Sequence, residues 1–269
     1  MAASPRTARY LKDALRLAHR LETIGSAPAR TDYSGWVAYG TLVRQRRLAE
    51  AVMALGRHSS FESQILLRSM VEIHFNSEWL LGRGRRLRAK RYILFHPLEQ
   101  LSVFDRVEGR RADKARVALR RRMVAKRSKV RYLFRNRGSD GKLHWDRSWA
   151  RLMSFEARMQ EVLRRRKAKD PTDAQFFYGI YSWFSSAVHG GPLAMRSALK
   201  FSGNQPLPKA QPELDPRANL AAALTILQAT ISTVGRILGL LKLLEPDYSR
   251  VSKAVKEVGK ARGPLWRGA

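Results

Sequence analysis

The chain contains 269 residues, 44% of them hydrophobic, and its 52 Lys and Arg outnumber 22 Asp and Glu to give a formal net charge of +30. The lack of cysteine excludes disulfides, thiol catalysis and cysteine-ligated metals, and it fits the reducing cytoplasm in which we expect the protein. A positive field of this size attracts polyanions, of which nucleic acid is the commonest in a cell, although basic residues on solvated helix faces give the same composition.

The beginning of the chain predicts helices. Segments rich in Ala, Leu and Arg repeat with a helical period, which is typical of an all-α protein. Helices are predicted over residues 8–24 and 34–55, with a break in the Ser/Pro/Gly-rich residues 25–32 between them. The first residues contain no continuous apolar stretch of the kind that a secretory signal needs.

A third helix is predicted over residues 61–81, and it is apolar around most of its circumference, as buried helices are. Ser59 with Glu62 three residues later is a capping box that marks its start. Arg68 and Glu72 lie one turn apart on an otherwise apolar face. Because a buried charge must be paired or hydrogen-bonded, these two residues are either a structural brace or part of a polar site.

The next part of the chain is the most basic. After a helix over residues 85–107, which Pro97 should kink or restart, residues 110–137 contain thirteen Lys or Arg and one Asp. Apolar residues within this segment are sufficient for a helix with a basic outer face. That face predicts non-specific binding of RNA or DNA, and a solvated helix packed on the core is the alternative. The candidate binding residues are Arg110, Arg111, Arg116, Arg120, Arg121, Arg122, Lys126, Arg127, Lys129 and Arg131.

The second half of the chain completes the predicted bundle. Further helices are predicted over residues 145–166, 174–188, 216–244 and 248–261. Residues 201–215 are Pro-rich and lack periodicity, which indicates a surface loop, and residues 262–269 are expected to form a flexible tail. Since neither a repeat nor a second composition regime is visible, we expect residues 1–269 to form one helical domain, a bundle of about seven to nine helices.

One apolar stretch, residues 220–244, has the length of a membrane span. Arg236 and Lys242 interrupt it, and charges at that depth in a bilayer are costly. We therefore expect a buried core helix and no membrane span.

The predicted helix 174–188 contains a polar row. Tyr181, Ser185 and His189 follow one another at four-residue intervals and share one face. Together with Arg68 and Glu72 they would form a general acid/base and ligand-binding site, or a polar contact that fixes how the two helices cross. The sequence contains neither a zinc-type histidine spacing nor a phosphate-binding glycine loop, so we expect no metal and no cofactor.

Two of these motifs resemble a known family. LLRSMVE (residues 66–72) and YSWFSSAVHGG (residues 181–191) resemble an uncharacterised bacterial family of all-helical proteins, which has an R-S-x-x-E helix and a Y-x-x-x-S-x-x-x-H-G motif. RYILFHPLEQL (residues 91–101) resembles the segment between them. The resemblance extends over roughly residues 40–200 and implies a helical bundle without an established activity.

A spacing used by HEPN-type ribonucleases also occurs. In those enzymes an Arg is followed by four to six residues and then a His on a buried helix. The matches in this chain are Arg91–His96, Arg68–His74 and Arg137–His144. Matches at three of six histidines in an Arg-rich chain indicate coincidence. Three interpretations therefore stay open: a nucleic-acid-binding protein, an enzyme or small-ligand protein with a ribonuclease as one variant, and a structural module that the same residues brace.

Overall fold

A computed structural model describes residues 5–55, 60–107, 114–137, 141–146, 148–150, 153–167, 178, 181, 199–202, 205–208 and 216–260. Its helices are α1 Pro5–Ala29, α2 Tyr33–Leu55, α3 Ser60–Leu80, α4 Arg85–Leu94, α5 His96–Val107, α6 Lys114–Lys129, α7 Arg131–Phe134, α8 Phe155–Lys167, α9 Pro216–Ile237 and α10 Glu245–Lys260. Nine of these described helices have ten or more residues, and α7 is a single turn. The predicted all-α bundle is confirmed.

Two antiparallel hairpins accompany the helices. Strand β1 (Arg135–Arg137) pairs with β2 (Leu143–Trp145), and Arg135 lies opposite Trp145. Strand β3 (Leu199–Ser202) pairs with β4 (Gln205–Pro208). The second hairpin includes residues 201–202 and 205–208, where a surface loop over residues 201–215 was predicted. The prolines of this segment are compatible with a strand, because a strand with only one neighbour tolerates proline where no ladder hydrogen bond is needed. Residues 209–215 and the predicted tail 262–269 lie outside the described residues.

The main core is built around α2 and α9. Helix α2 packs against α1, α3, α4 and α9, and α9 also packs against α1 and α3. One stripe of α9 is buried at helical spacing throughout, and it consists of Leu220, Leu224, Leu227, Ile231 and Val234. Each fully buried side chain of this size contributes about 1.5–3 kcal/mol through the hydrophobic effect, so this stripe is a principal source of stability.

Helix α9 is the one described helix that is long and apolar enough to cross a membrane by length and composition. Its most apolar window is 61% buried inside the protein, so packing accounts for much of its apolar character. The helix ends at Ile237 rather than continuing to residue 244 as predicted. Gly239, with φ 70°, turns the chain into a 3-10 helix, Leu241–Leu244.

The predicted break at residues 25–32 is shorter in the structure, because α1 continues to Ala29 with Pro28 in its last turn. A proline there removes only one intrahelical hydrogen bond. Asp32 starts α2 by accepting a hydrogen bond from the Gly35 amide at 2.6 Å. A Cβ at Gly35 would lie 2.7 Å from the Ala29 carbonyl oxygen, so the two helix ends approach as closely as glycine permits.

A second, smaller hydrophobic cluster lies beside the main core. Its buried members are Phe95, Leu98, Val130, Leu133 and Phe134. They come from the α4–α5 junction and from the residues that follow α6, and Trp149 packs against both clusters. Pro97 lies in the first turn of α5, where a proline is well tolerated, so the predicted restart of the helix at this proline is confirmed.

Candidate nucleic-acid interface and polar site

The basic helix predicted from the sequence is α6, and it lies on the surface along its whole length. Eight of its 16 residues are Lys or Arg, none is acidic and none is buried. It packs against α5 and α7, and the half-buried Met123, Val124 and Arg127 mark its inner side. Since α6 adds no buried residue to either core, packing does not explain its composition.

Most of the predicted nucleic-acid contacts are exposed to solvent. The exposed ones are Arg116, Arg120, Arg121, Arg122, Lys126, Lys129 and Arg131. Arg110 and Arg111 lie outside the described residues. Arg120 forms an ion pair with Asp105 of α5, with 2.7 Å between Nε and Oδ1, and this contact raises the pKa of Arg120. The pair is exposed on both sides, so it ties α6 to α5 only weakly.

Arg127 has a different position from the other predicted contacts. Its guanidinium lies 4.8 Å from the centre of the Trp145 ring, on the side of α6 that faces the β1–β2 hairpin. Its Nε is buried and has no hydrogen-bond partner in the described part of the chain. This geometry suits packing of α6 onto the hairpin through a cation–π contact more than contact with a phosphate.

Three residues of the predicted polar site, Arg68, Glu72 and Tyr181, lie close together. Arg68 Nε donates a hydrogen bond to Glu72 Oε1 at 2.8 Å, and the Arg68 guanidinium lies 6.0 Å from the centre of the Tyr181 ring. Burial raises the pKa of Tyr181, and the Arg68 charge opposes this effect. Ser185 and His189 lie outside the described residues. The structure therefore brings three of the five predicted residues together.

The Arg68–Glu72 pair is only half enclosed. The Glu72 side chain is 36% exposed, so water reaches its carboxylate. By contrast, the Arg68 Nη1 is buried and lacks a hydrogen-bond partner among the described residues. The described residues thus place a partly buried cation beside a tyrosine ring, and this chemistry suits an anionic group.

Sequence reasoning missed a second polar network between α3 and α8. His74 is buried, and Arg166 Nη2 donates a hydrogen bond to its Nε2 at 2.6 Å. Arg166 also donates to Glu78 Oε2 at 2.7 Å. Burial and then the Arg166 charge lower the pKa of His74 well below its ordinary value. The ring is therefore neutral, with its proton on Nδ1, and the network acts as a brace.

Arg158 and Glu161 form further polar contacts between α8 and its neighbours. Arg158 of α8 donates to Asn76 Oδ1 at 3.0 Å and lies 4.7 Å from the centre of the Trp149 ring. Burial lowers the pKa of Arg158. Glu161 accepts a hydrogen bond from Trp79 Nε1 at 2.7 Å. Arg158 stands at helical spacing among apolar residues of α8, which is the sequence signal by which its burial could have been found.

The ribonuclease-type spacings do not bring Arg and His together as a site. Arg91 is buried and donates to Asp146 Oδ2 at 2.6 Å, whereas His96 is exposed at the start of α5. Arg68 bonds to Glu72, and His74 bonds to Arg166. In the third match, Arg137 lies on β1 and His144 on β2, and the two residues are not paired with each other in the hairpin.

Metal binding receives no support from the part of the chain that the structure describes, which contains no group of three or more His, Asp or Glu side chains able to hold an ion. A cleft of about 190 Å³ between α1 and α10 is lined by Asp13, Arg16, Leu17, Arg20, Asp247, Arg250 and Val251. Its charges are paired among themselves, as in Arg20 with Asp247. The cleft includes none of the predicted site residues.

Comparison with known proteins identifies a family. A model of a family described as a family of unknown function (DUF5677) matches residues 35–206. Neither a curated protein nor a solved structure matches the chain. The matched residues include α3, α6 and α8, and therefore both the basic helix and the polar networks.

Proposed function

The chain belongs to the DUF5677 family, whose function is unknown, and from that premise we propose that it binds nucleic acid through a basic surface centred on α6. The observation that carries the proposal is a 16-residue helix with eight cations, no acidic residue and no buried residue. The proposal places this activity in the cytoplasm, a compartment with which a chain free of cysteine is compatible.

The charge pattern of α6 is unfavourable for an isolated helix. Arg122 and Lys126 are one turn apart, and like charges at this spacing destabilise a helix by about 0.2–0.5 kcal/mol per pair. Phosphate groups along α6 would replace this repulsion with attraction and release condensed counterions from the nucleic acid. Contacts to phosphates carry no sequence information, so we expect RNA and DNA to bind without sequence preference.

The test removes an exposed stripe of α6 and compares it with a matched stripe elsewhere. The test variant is Arg122→Gln, Lys126→Gln and Lys129→Gln combined. The control is Arg9→Gln, Lys12→Gln and Arg16→Gln combined, which removes the same charge from exposed positions of α1. Exposed charges contribute little to stability, so both variants should melt close to the wild type.

Affinity for labelled RNA and DNA is measured by fluorescence anisotropy across several salt concentrations. For a single strand, three lost phosphate contacts should flatten the log–log salt dependence by about 2, and the control should keep the wild-type slope. Salt-insensitive binding, or one slope for all three proteins, would exclude α6 as the binding surface. A denaturing gel of the recovered RNA tests the ribonuclease variant of the hypothesis.

A second candidate function is binding of a small anionic ligand near Arg68, as part of an enzyme or a ligand-binding protein. The buried Nη1 of Arg68, which has no hydrogen-bond partner among the described residues, favours it, as does the nearby Tyr181 ring. Inorganic phosphate should then raise the melting temperature of the wild type and not that of Arg68→Gln, because binding to the folded state alone stabilises it. An equal response of both proteins would leave these residues as a structural brace.

A further inference from the structure

Two exposed aromatic side chains are not explained by packing. Tyr132 in α7 is the most exposed aromatic side chain of the described residues at 65%, and Trp36 in α2 is 50% exposed. Neither packs into either hydrophobic cluster. A Trp or Tyr buries a large apolar area when it joins a core, so rings left in water at these positions are available to a partner.

Lys90 of α4 lies beside the Tyr132 ring. Its ammonium lies 5.3 Å from the centre of the Tyr132 ring. A hydrogen bond with the Tyr132 hydroxyl raises the pKa of Lys90, and Tyr33 adds a smaller effect in the same direction. The Tyr33 ring in turn lies 5.9 Å from that of Trp36, centre to centre. Helix α2 packs against α4, so Trp36 and Tyr33 lie on the helix next to the one that carries Lys90. These three residues and Tyr132 are called the aromatic row below.

The aromatic row continues the basic surface. Helix α7 begins two residues after the end of α6, so Tyr132 follows the last cations of that helix. Lys129 and Arg131 precede Tyr132 in the chain and are exposed. Cations that track a backbone, followed by open ring faces, are the combination by which single strands are held without sequence preference.

We infer that the ligand of the basic surface is a single-stranded nucleic acid, with bases stacked on Tyr132 and Trp36 and phosphates bound by the cations of α6. This inference rests on the proposed function. It selects a single strand because the base faces of a duplex are covered by neighbouring pairs, whereas an unpaired base offers its face to a ring. Loss of one stacked base typically weakens binding about 5- to 150-fold.

The test compares a labelled oligouridylate, which cannot pair with itself, with a labelled duplex of the same number of nucleotides. The variants are Tyr132→Ala and Trp36→Ala, with Tyr132→Phe to keep the ring and lose the hydroxyl. Tyr178→Ala is the control, since Tyr178 is a comparably exposed tyrosine. Each alanine variant of the aromatic row should bind oligouridylate at least about 5-fold more weakly and keep the salt slope of the wild type. Tyr132→Phe and Tyr178→Ala should bind as the wild type does.

A second readout does not depend on affinity. An oligonucleotide containing 5-iodouracil, irradiated in complex with the wild type, should crosslink to Tyr132 or Trp36 in peptides mapped by mass spectrometry. Equal affinity for duplex and single strand, together with wild-type binding by Tyr132→Ala and Trp36→Ala, would overturn the inference and leave the α6 surface intact as a duplex or backbone binder. Absence of salt-dependent binding to either ligand would overturn the proposed function itself.

Discussion

At the scale of single residues, His74 shows how burial changes the chemistry of a side chain. The ring is enclosed between α3 and α8, and Arg166 occupies its Nε2 as a donor. Burial deprives a charged imidazole of water, and the Arg166 cation beside it would repel the added charge, so the pKa of His74 is lowered. The Glu78 carboxylate lies 3.4 Å from the same nitrogen, but it is already bonded to Arg166.

This arrangement predicts a pH dependence of stability. In the unfolded chain His74 takes up a proton near the ordinary histidine pKa of 6.5, and in the folded protein it does not. The unfolded state therefore binds more protons below pH 6.5, and stability falls as the pH falls, by at most about 1.4 kcal/mol per pH unit from this residue. Urea unfolding at pH 7.5 and pH 5 measures the loss, and His74→Gln should lose less than the wild type.

Carboxylates provide an internal check on that result. Hydrogen bonds lower the pKa of Glu156, and the Trp79 and Arg88 contacts outweigh burial to lower that of Glu161. Their contributions to stability are present above the ordinary carboxylate range and are lost only as the pH falls through it. The loss of stability from these carboxylates therefore occurs at lower pH than the loss assigned to His74. If both proteins lose the same stability between pH 7.5 and pH 5, the assignment to His74 is wrong.

Some residues of the polar networks could be predicted from the sequence, and others could not. Arg68 and Glu72 were identifiable because charges interrupt an apolar helix face, and their mutual contact follows from four-residue spacing. The partners of His74 and Arg158 could not be identified from the sequence. Arg166 is 92 residues from His74 along the chain, and Asn76 is 82 residues from Arg158. Periodicity predicts that a polar group is buried, but not which distant donor or acceptor meets it.

At the scale of elements, the periodicity of apolar residues predicted the interiors of the helices correctly, but it did not predict where α1 and α9 end. Helix α1 continues past Gly25 because its last turns lie against the residues after α9, where a Cβ at Gly25 would be 3.0 Å from Leu238 Cδ1. Helix α9 ends early at the positive φ of Gly239. In both cases tertiary contacts or backbone geometry decide the boundary, and neither is encoded in the local apolar pattern.

Helix α9 also carries a prediction about location. Its buried stripe packs against α1, α2 and α3, whereas a membrane-spanning helix would leave those three helices without their partner. We therefore expect the protein, expressed without detergent, to remain in the supernatant after high-speed centrifugation. A pellet-bound protein that resists both high salt and alkaline carbonate would contradict the core assignment of α9.

At the scale of the whole molecule, charge and core are separated. The main core draws mainly on α1, α2, α3, α8 and α9, whereas the described helix with the largest number of cations is α6, beside the smaller cluster. Composition alone predicted a basic protein, and local charge density predicted which segment is most basic. It did not predict that α6, within this segment, would add no buried residue to either core, or that exposed aromatic rings would follow it, because both depend on how distant helices pack.

The smaller cluster has a dynamic consequence. Regions with few buried contacts open independently of the rest of a protein, as separate cooperative units. The hydrophobic cluster between α5 and the residues that follow α6 has five buried members, far fewer than the main core. This part of the chain, the α5–α6 arm, should therefore detach transiently while the main bundle stays folded. A ligand spanning α6 and Tyr132 would close that opening. Its signature would be slower amide hydrogen exchange in the arm, with the exchange of α9 unchanged.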